Sequence, residues 1–158
     1  MGKITIGISD LNVAFAPDSI ITYALGSCIA ICLYDPVVKL AGMAHIMLPA
    51  SKDCPADSNI RKFADTATLE LIGQMTRRGA QKGRMKAKIA GGAQMFKVVS
   101  GVANIGQRNT LASKEILRSL FIPIVAEDTG DDFGRTVEFF ASTGILQVRT
   151  AKYGNWDI

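Results

Sequence analysis

Three cysteines and a single histidine are the side chains of this 158-residue chain best suited to covalent chemistry. The cysteines are not equivalent. Cys54 lies in a polar loop beside Pro55, where nothing marks it as a nucleophile. Cys32 sits in the apolar run 29–34 and reads as a small buried hydrophobe. Cys28 follows Gly26-Ser27, where a turn enters a strand, and so lies near the surface. The turn after this strand is informative. Asp35-Pro36-Val37-Val38 suits a type I turn, with Asp first and Pro second. A four-residue hairpin loop there places Tyr34 opposite Lys39 and Cys28 opposite His45. Directly opposed residues share a face, with Cβ atoms about 4.5–5.5 Å apart, so a thiol and an imidazole could share a proton. A bulge or a longer loop would shift this register.

Such a pair makes one chemistry available. The thiolate attacks, the imidazole lowers the thiol pKa, and the same ring then protonates a leaving amine and activates water. A third group usually orients the ring. Thr22, polar within Ile20-Ile21-Thr22-Tyr23, could do so if its strand lies beside the hairpin, although it is equally an ordinary β-former. Backbone N–H groups at Gly26, Ser27 and Cys28 could stabilise an oxyanion. A lone histidine in the apolar run 42–48 is also an ordinary interior residue. A metal site is disfavoured, because Cys32 lies four strand residues beyond Cys28, roughly 13 Å away and too far for one ion. The same distance excludes a disulfide between them.

The composition, 48% hydrophobic and 20% charged, fits one domain spanning residues 1–158. The 15 glycines and 7% aromatic content point to many tight turns. The apolar run 4–8 is too short for a secretory leader. The longest uncharged stretch, 19–34, falls short of the roughly 20 apolar residues a spanning helix needs. The expectation is a soluble, reduced, cytoplasmic protein, not inserted in a membrane. The net charge is only +4, but residues 71–114 contain no Asp or Glu and hold half of the 18 basic residues. That segment reads as a solvated face or as a surface for an acidic partner. Only Phe96 could stack on a base there, and no nucleic-acid-binding signature accompanies it, so nucleic acid is not the expected partner.

Periodicity supplies the elements that would position the pair. Strands are predicted at 4–8, 19–23, 29–34 and 40–48, followed by a mobile loop over 50–60. A helix is predicted over 63–78, with apolar residues at 63, 64, 67, 71, 72 and 75 and Gly79 as its C-terminal stop. A strand at 86–90 runs into Gly91-Gly92, which either admits a substrate backbone closely or simply turns the chain. A second helix begins near Asn109 and ends by Leu120, with residues 104–109 as its capping segment. Strands at 124–126, 137–140 and 145–149 follow, and the tail 152–158 shows no motif. Eight strands and two helices make an α+β domain with helices packed on a largely antiparallel sheet system.

Five ordered motifs carry a resemblance: Leu25-Gly26-Ser27-Cys28, Met43-Ala44-His45-Ile46-Met47-Leu48-Pro49, Lys88-Ile89-Ala90-Gly91-Gly92-Ala93-Gln94-Met95-Phe96, Asn104-Ile105-Gly106-Gln107-Arg108-Asn109 and Ala126-Glu127-Asp128-Thr129-Gly130. Over residues 6–149 the chain resembles the CheD family of chemoreceptor glutamine deamidases. The resemblance implies an α/β sandwich related to the deamidase domains of cytotoxic necrotizing factor toxins. It implies hydrolysis of selected glutamines in the cytoplasmic helices of methyl-accepting chemotaxis proteins, with no metal or organic cofactor. It assigns Cys28 as nucleophile, His45 as general base and Thr22 as the hydroxyl completing the triad. It also implies a partner, the phosphatase CheC, competing with receptors for the same face. Residues 50–60, with Cys54, and 152–158 inherit nothing from it. A catalytically silent adaptor binding CheC and receptors, a nucleic-acid-binding module, and amide transfer to an amine remain alternatives. A monomer is the default from size.

Overall fold

The protein is described by a computed structural model covering residues 1–95 and 104–158. Among the described residues, ten strands form two five-stranded sheets. One has the order β1 (Lys3–Ile6), β3 (Ser19–Leu25), β8 (Arg135–Phe140), β9 (Leu146–Arg149), β10 (Asn155–Asp157). The other runs β2 (Asp10–Phe15), β5 (Leu40–Ile46), β4 (Ile29–Asp35), β6 (Lys86–Gly91), β7 (Ile124–Thr129). The β1–β3 and β6–β7 pairs are parallel and the remaining pairs antiparallel. Two helices, α1 (Ala64–Arg77) and α2 (Ile105–Ser119), cover the outer face of the second sheet. The layers are therefore helices, sheet, sheet. This is the expected α+β class.

The central strands β4 and β5 are buried on both faces, which is why they read as continuous apolar runs. Ile29, Ile31 and Leu33 join the helix-side core, whereas Ala30 and Cys32 join the core between the sheets. On β5, Ala44 and Ile46 face the helices and Met43 faces the other sheet. Gly42 lets α1 sit directly on β5. A Cβ there would lie 2.7 Å from Met75 Sδ and 2.8 Å from Leu71 Cδ1.

The structure departs from several expectations. The β4–β5 register pairs Ala30 with His45 and Asp35 with Leu40, two residues away from the predicted pairing of Cys28 with His45. Asp35 is the last paired residue and not the first of the loop. Its carboxylate is buried, accepts from the Val37 N–H and so helps close a loop of residues 36–39, with Lys39 at φ 51°. β2 was not foreseen, and its Asp10 and Asn12 obscure the apolar pattern of an edge strand paired with β5. Helix α2 begins at Ile105, because the Asn104 side chain accepts from the Gln107 N–H at 2.7 Å and caps it there. The tail is partly structural: β10 pairs with β9, and Trp156 Nε1 donates to Asp128. The 50–60 loop is tethered, with Ser51 bonded to Asp65 and the Asn59 side chain reaching the Ser9 carbonyl. Neither described helix is long and apolar enough to cross a membrane.

Candidate active site

Thr22 is the last regular residue of β3 before a bulge. The pairing with β8 shifts between Thr22 and Leu25, and Ala24 adopts φ 57°. Thr22 lies fully buried on the face turned towards the second sheet, where His45 projects from β5. Thr22 Oγ1 stands 2.7 Å from His45 Nδ1 and 2.9 Å from the Ile6 carbonyl oxygen. A hydroxyl has one proton and a carbonyl can only accept. Both contacts are hydrogen bonds only if Thr22 donates to Ile6 and accepts from His45 Nδ1–H. That arrangement places the free lone pair of the imidazole on Nε2.

His45 Nε2 is buried and has no hydrogen-bond partner among the described residues. Burial also lowers the pKa of the ring from 6.5 to about 4, so at neutral pH the imidazole is an uncharged base. Cys28 lies just before β4, half-buried, and packs on the inter-sheet core. The register shift is an even number of residues, so Cys28 keeps the strand parity of Ala30 and shares the face of His45. Its thiol is not lowered as the sequence suggested. Burial pushes it up, partly offset by the residue's own N–H. The resting pair is thus neutral thiol and neutral imidazole, without a hydrogen bond between them.

The segment carrying Cys28 is held by backbone. The Gly92 N–H donates to the Cys28 carbonyl and the Ala93 N–H to the Gly26 carbonyl, both at 2.9 Å. Gly91, at φ 111°, lies so close that a Cβ would fall 2.2 Å from the Cys28 oxygen. A Cβ on Gly92 would fall 2.2 Å from Thr110 Oγ1. The close approach expected at Gly91-Gly92 is therefore taken by the protein's own chain, and these glycines seat the Cys28 segment. Ser27 and Cys28 donate their N–H groups to no backbone carbonyl of the described residues. Gly26 lies beside Met95, whose Cγ would stand 3.3 Å from an added Cβ.

Asn109 was missed, having been assigned to a helix cap. It lies inside α2 on the buried stripe Gly106, Asn109, Ser113, Leu117. Its Nδ2 donates to the carbonyls of Ser27 and Met47, each at 3.0 Å. The available signal was an amide on the inward face of an amphipathic pattern. Other candidates lie elsewhere. Cys32 is fully buried in the inter-sheet core, and Cys54 is in the loop before α1. A cleft of about 270 Å³, lined by Gln94, Asn104, Gln107 and Asp131 among others, reaches Gly92 and Thr110 but not Thr22, Cys28 or His45.

The basic stretch is not one surface. Arg84 pairs with Asp35, Lys88 Nζ donates to the carbonyls of Gly144 and Ile158, and Lys114 pairs with Glu127. Phe96 and Lys97 lie outside the described residues.

A two-sheet α+β domain with a cysteine and a threonine-bound histidine on one inner face defines the class of site, and comparison with known proteins places it in a family. The family model described as "CheD chemotactic sensory transduction" matches residues 47–150. A protein named probable chemoreceptor glutamine deamidase CheD, from Caldanaerobacter subterraneus subsp. tengcongensis, is 50% identical over 94% of this chain and 93% of its own. Proteins of the same name from Syntrophomonas wolfei and Clostridium novyi are 49% and 48% identical, each over 96% of this chain and 95% of theirs. The chain belongs to the CheD family. Among solved structures, a Bacillus licheniformis hypothetical protein YfiH aligns with a TM-score of 0.49 and 16% identity, over 76% of this chain and 50% of that one.

Proposed function

We propose that this protein deamidates selected glutamine side chains of chemoreceptors, with Cys28 as nucleophile and His45 as base. The observation that carries the proposal is the Thr22–His45 bond, which leaves an unprotonated Nε2, without a partner among the described residues, on the face shared with Cys28. Because the resting pair is neutral, the thiol proton moves to Nε2 as sulfur attacks the glutamine amide carbon. The Sγ–C bond forms, the carbonyl oxygen takes negative charge, and the amide N–H groups of Ser27 and Cys28 are the donors assigned to it in this reading. Collapse breaks the C–N bond, and His45 gives its proton to the departing nitrogen, which leaves as ammonia. Water then attacks the thioester, passes a proton to His45, and releases glutamate and the thiol. Glutamine and water give glutamate and ammonia.

A macromolecular substrate fits the rim. Tyr23, next to Thr22, is 53% exposed; Met47, two residues past His45, is 42% exposed; and Met95, against Gly26, is 45% exposed. Exposed methionine and tyrosine around a reactive group suit the apolar side of a helix. The names of the curated relatives support a receptor as that substrate. The motif resemblance supports CheC as a second occupant of this face. Cys28→Ala should leave the fold intact and lower turnover by roughly a thousandfold or more. The test is mass spectrometry of tryptic peptides from a chemoreceptor cytoplasmic fragment incubated with either protein. Glutamate at specific glutamine positions with the wild type alone supports the reading, and an active Cys28→Ala protein sinks it.

A further inference from the structure

We infer that Asn109 is a positioning residue for the oxyanion donor, an inference that rests on the deamidase reading. A trans peptide is planar, with its C=O and N–H pointing in opposite directions. The Ser27 carbonyl and the Cys28 N–H belong to the same peptide. Asn109 Nδ2 holds that carbonyl at 3.0 Å from the side of α2, so the Cys28 N–H is aimed the other way. The following peptide is pinned independently, by the Gly92 N–H on the Cys28 carbonyl. Were the first plane free to flip, the Ser27 carbonyl dipole would point at the developing negative charge in place of a donor. The same Asn109 amide also donates to the carbonyl of Met47, two residues beyond His45. One side chain thus ties the nucleophile segment to the strand carrying the base.

Stability alone does not explain this residue. Asn109 is fully buried, and its Oδ1 has no hydrogen-bond partner among the described residues. Burying an amide with an unmet acceptor is costly. The opposite choice of amide orientation is worse, because it would set Oδ1 against two carbonyl oxygens.

The experiment compares two reactions of Cys28 in the full-length wild type, Asn109→Ala and Asn109→Leu. Deamidation builds up negative charge on the substrate oxygen; displacement of iodide from iodoacetamide does not. Receptor-fragment turnover gives kcat and KM, and mass spectrometry of the Cys28 peptide gives the alkylation rate. The expected result is a kcat roughly tenfold to a hundredfold lower, KM within about threefold and alkylation within about twofold of wild type. Alkylation falling in step with kcat, an unchanged kcat, or a loss confined to KM would overturn the role. So would loss of the wild-type melting profile in both variants, which assigns Asn109 to fold stability. An inactive wild type overturns the deamidase reading and this inference with it, whereas active variants beside an active wild type overturn the inference alone.

Discussion

The β4–β5 hairpin has a polar group buried at each end, and the two ends are treated oppositely. At the closed end, Asp35 is fully buried and its carboxylate is saturated. It accepts from the Val37 N–H at 3.0 Å, the Gln81 N–H at 2.9 Å and Arg84 Nε at 3.0 and 3.1 Å, and it pairs with Arg84 Nη2 at 2.9 Å. Burial pushes this carboxyl up, but the bonds from Arg84, Gln81 and Val37 and the charge of Arg84 hold it below its ordinary value. At the open end, burial acts almost alone. It raises the Cys28 thiol and lowers the His45 ring, and one imidazole nitrogen is left without a partner among the described residues. A saturated group holds the fold together. An unsaturated one, beside a thiol and exposed apolar side chains, waits for a reactant.

The sharpest way to break the contrast is at the closed end. Asp35→Ala strands the Gln81 and Val37 N–H groups and removes the partner of Arg84. It should cost about 3 kcal/mol, the low end of the range for breaking a buried pair, because the partly exposed Arg84 can turn to water. Urea denaturation measures this, and kcat of the folded fraction should stay within about twofold of wild type. A kcat loss as large as that of a site variant would mean the two ends are not separable.

The open end should reveal itself through pH. His45 titrates at about 4 in the folded protein and at its ordinary 6.5 when unfolded. Between those values the unfolded chain binds more protons, so this contribution is intact above pH 6.5 and is lost as pH falls towards 4. His45→Asn keeps an N–H donor near Thr22 but does not titrate. Between pH 7 and 5 the wild type should lose about 2 kcal/mol more stability than this variant. Equal losses would mean that His45 is not held neutral by burial.

The same contrast decides what could be read from the sequence. The strands 29–34 and 40–48 were legible because both faces are apolar; the histidine and threonine stood out as polar exceptions in apolar runs, and Cys28 by its place at the turn before the strand. The register was not, since Asp35-Pro36 looks like the start of a loop unless one knows that Arg84 and Gln81 bury the aspartate in the strand. The face survived because the error was two residues, which preserves strand parity. The thiol pKa was misread because sequence shows an imidazole neighbour but not the burial that outweighs it. Asn109 was hidden for a related reason: its partners, Ser27 and Met47, are carbonyls on two other segments. β10 was unreadable because three residues at a sheet edge carry almost no period of their own.

The smallest effect tests the link between Thr22 and the base. Thr22→Val keeps the shape but removes the oxygen that accepts from Nδ1–H. The ring proton is then free to sit on Nε2, the atom that must receive the thiol proton. Turnover should fall roughly tenfold with KM unchanged, because only the fraction of imidazole in the productive tautomer can react. Thr22→Ser restores a hydroxyl able to donate to Ile6 and accept from Nδ1–H, and should recover kcat to within about threefold. The pH profile gives a second reading. With a base whose pKa is about 4, wild-type kcat/KM should stay level from neutral pH down towards 5. A fall centred near the ordinary imidazole value would instead mean that His45 works as a solvated base. Full activity in Thr22→Val would show that the tautomer is set by something other than Thr22, and the open end of the hairpin would lose the feature that separates it from the closed one.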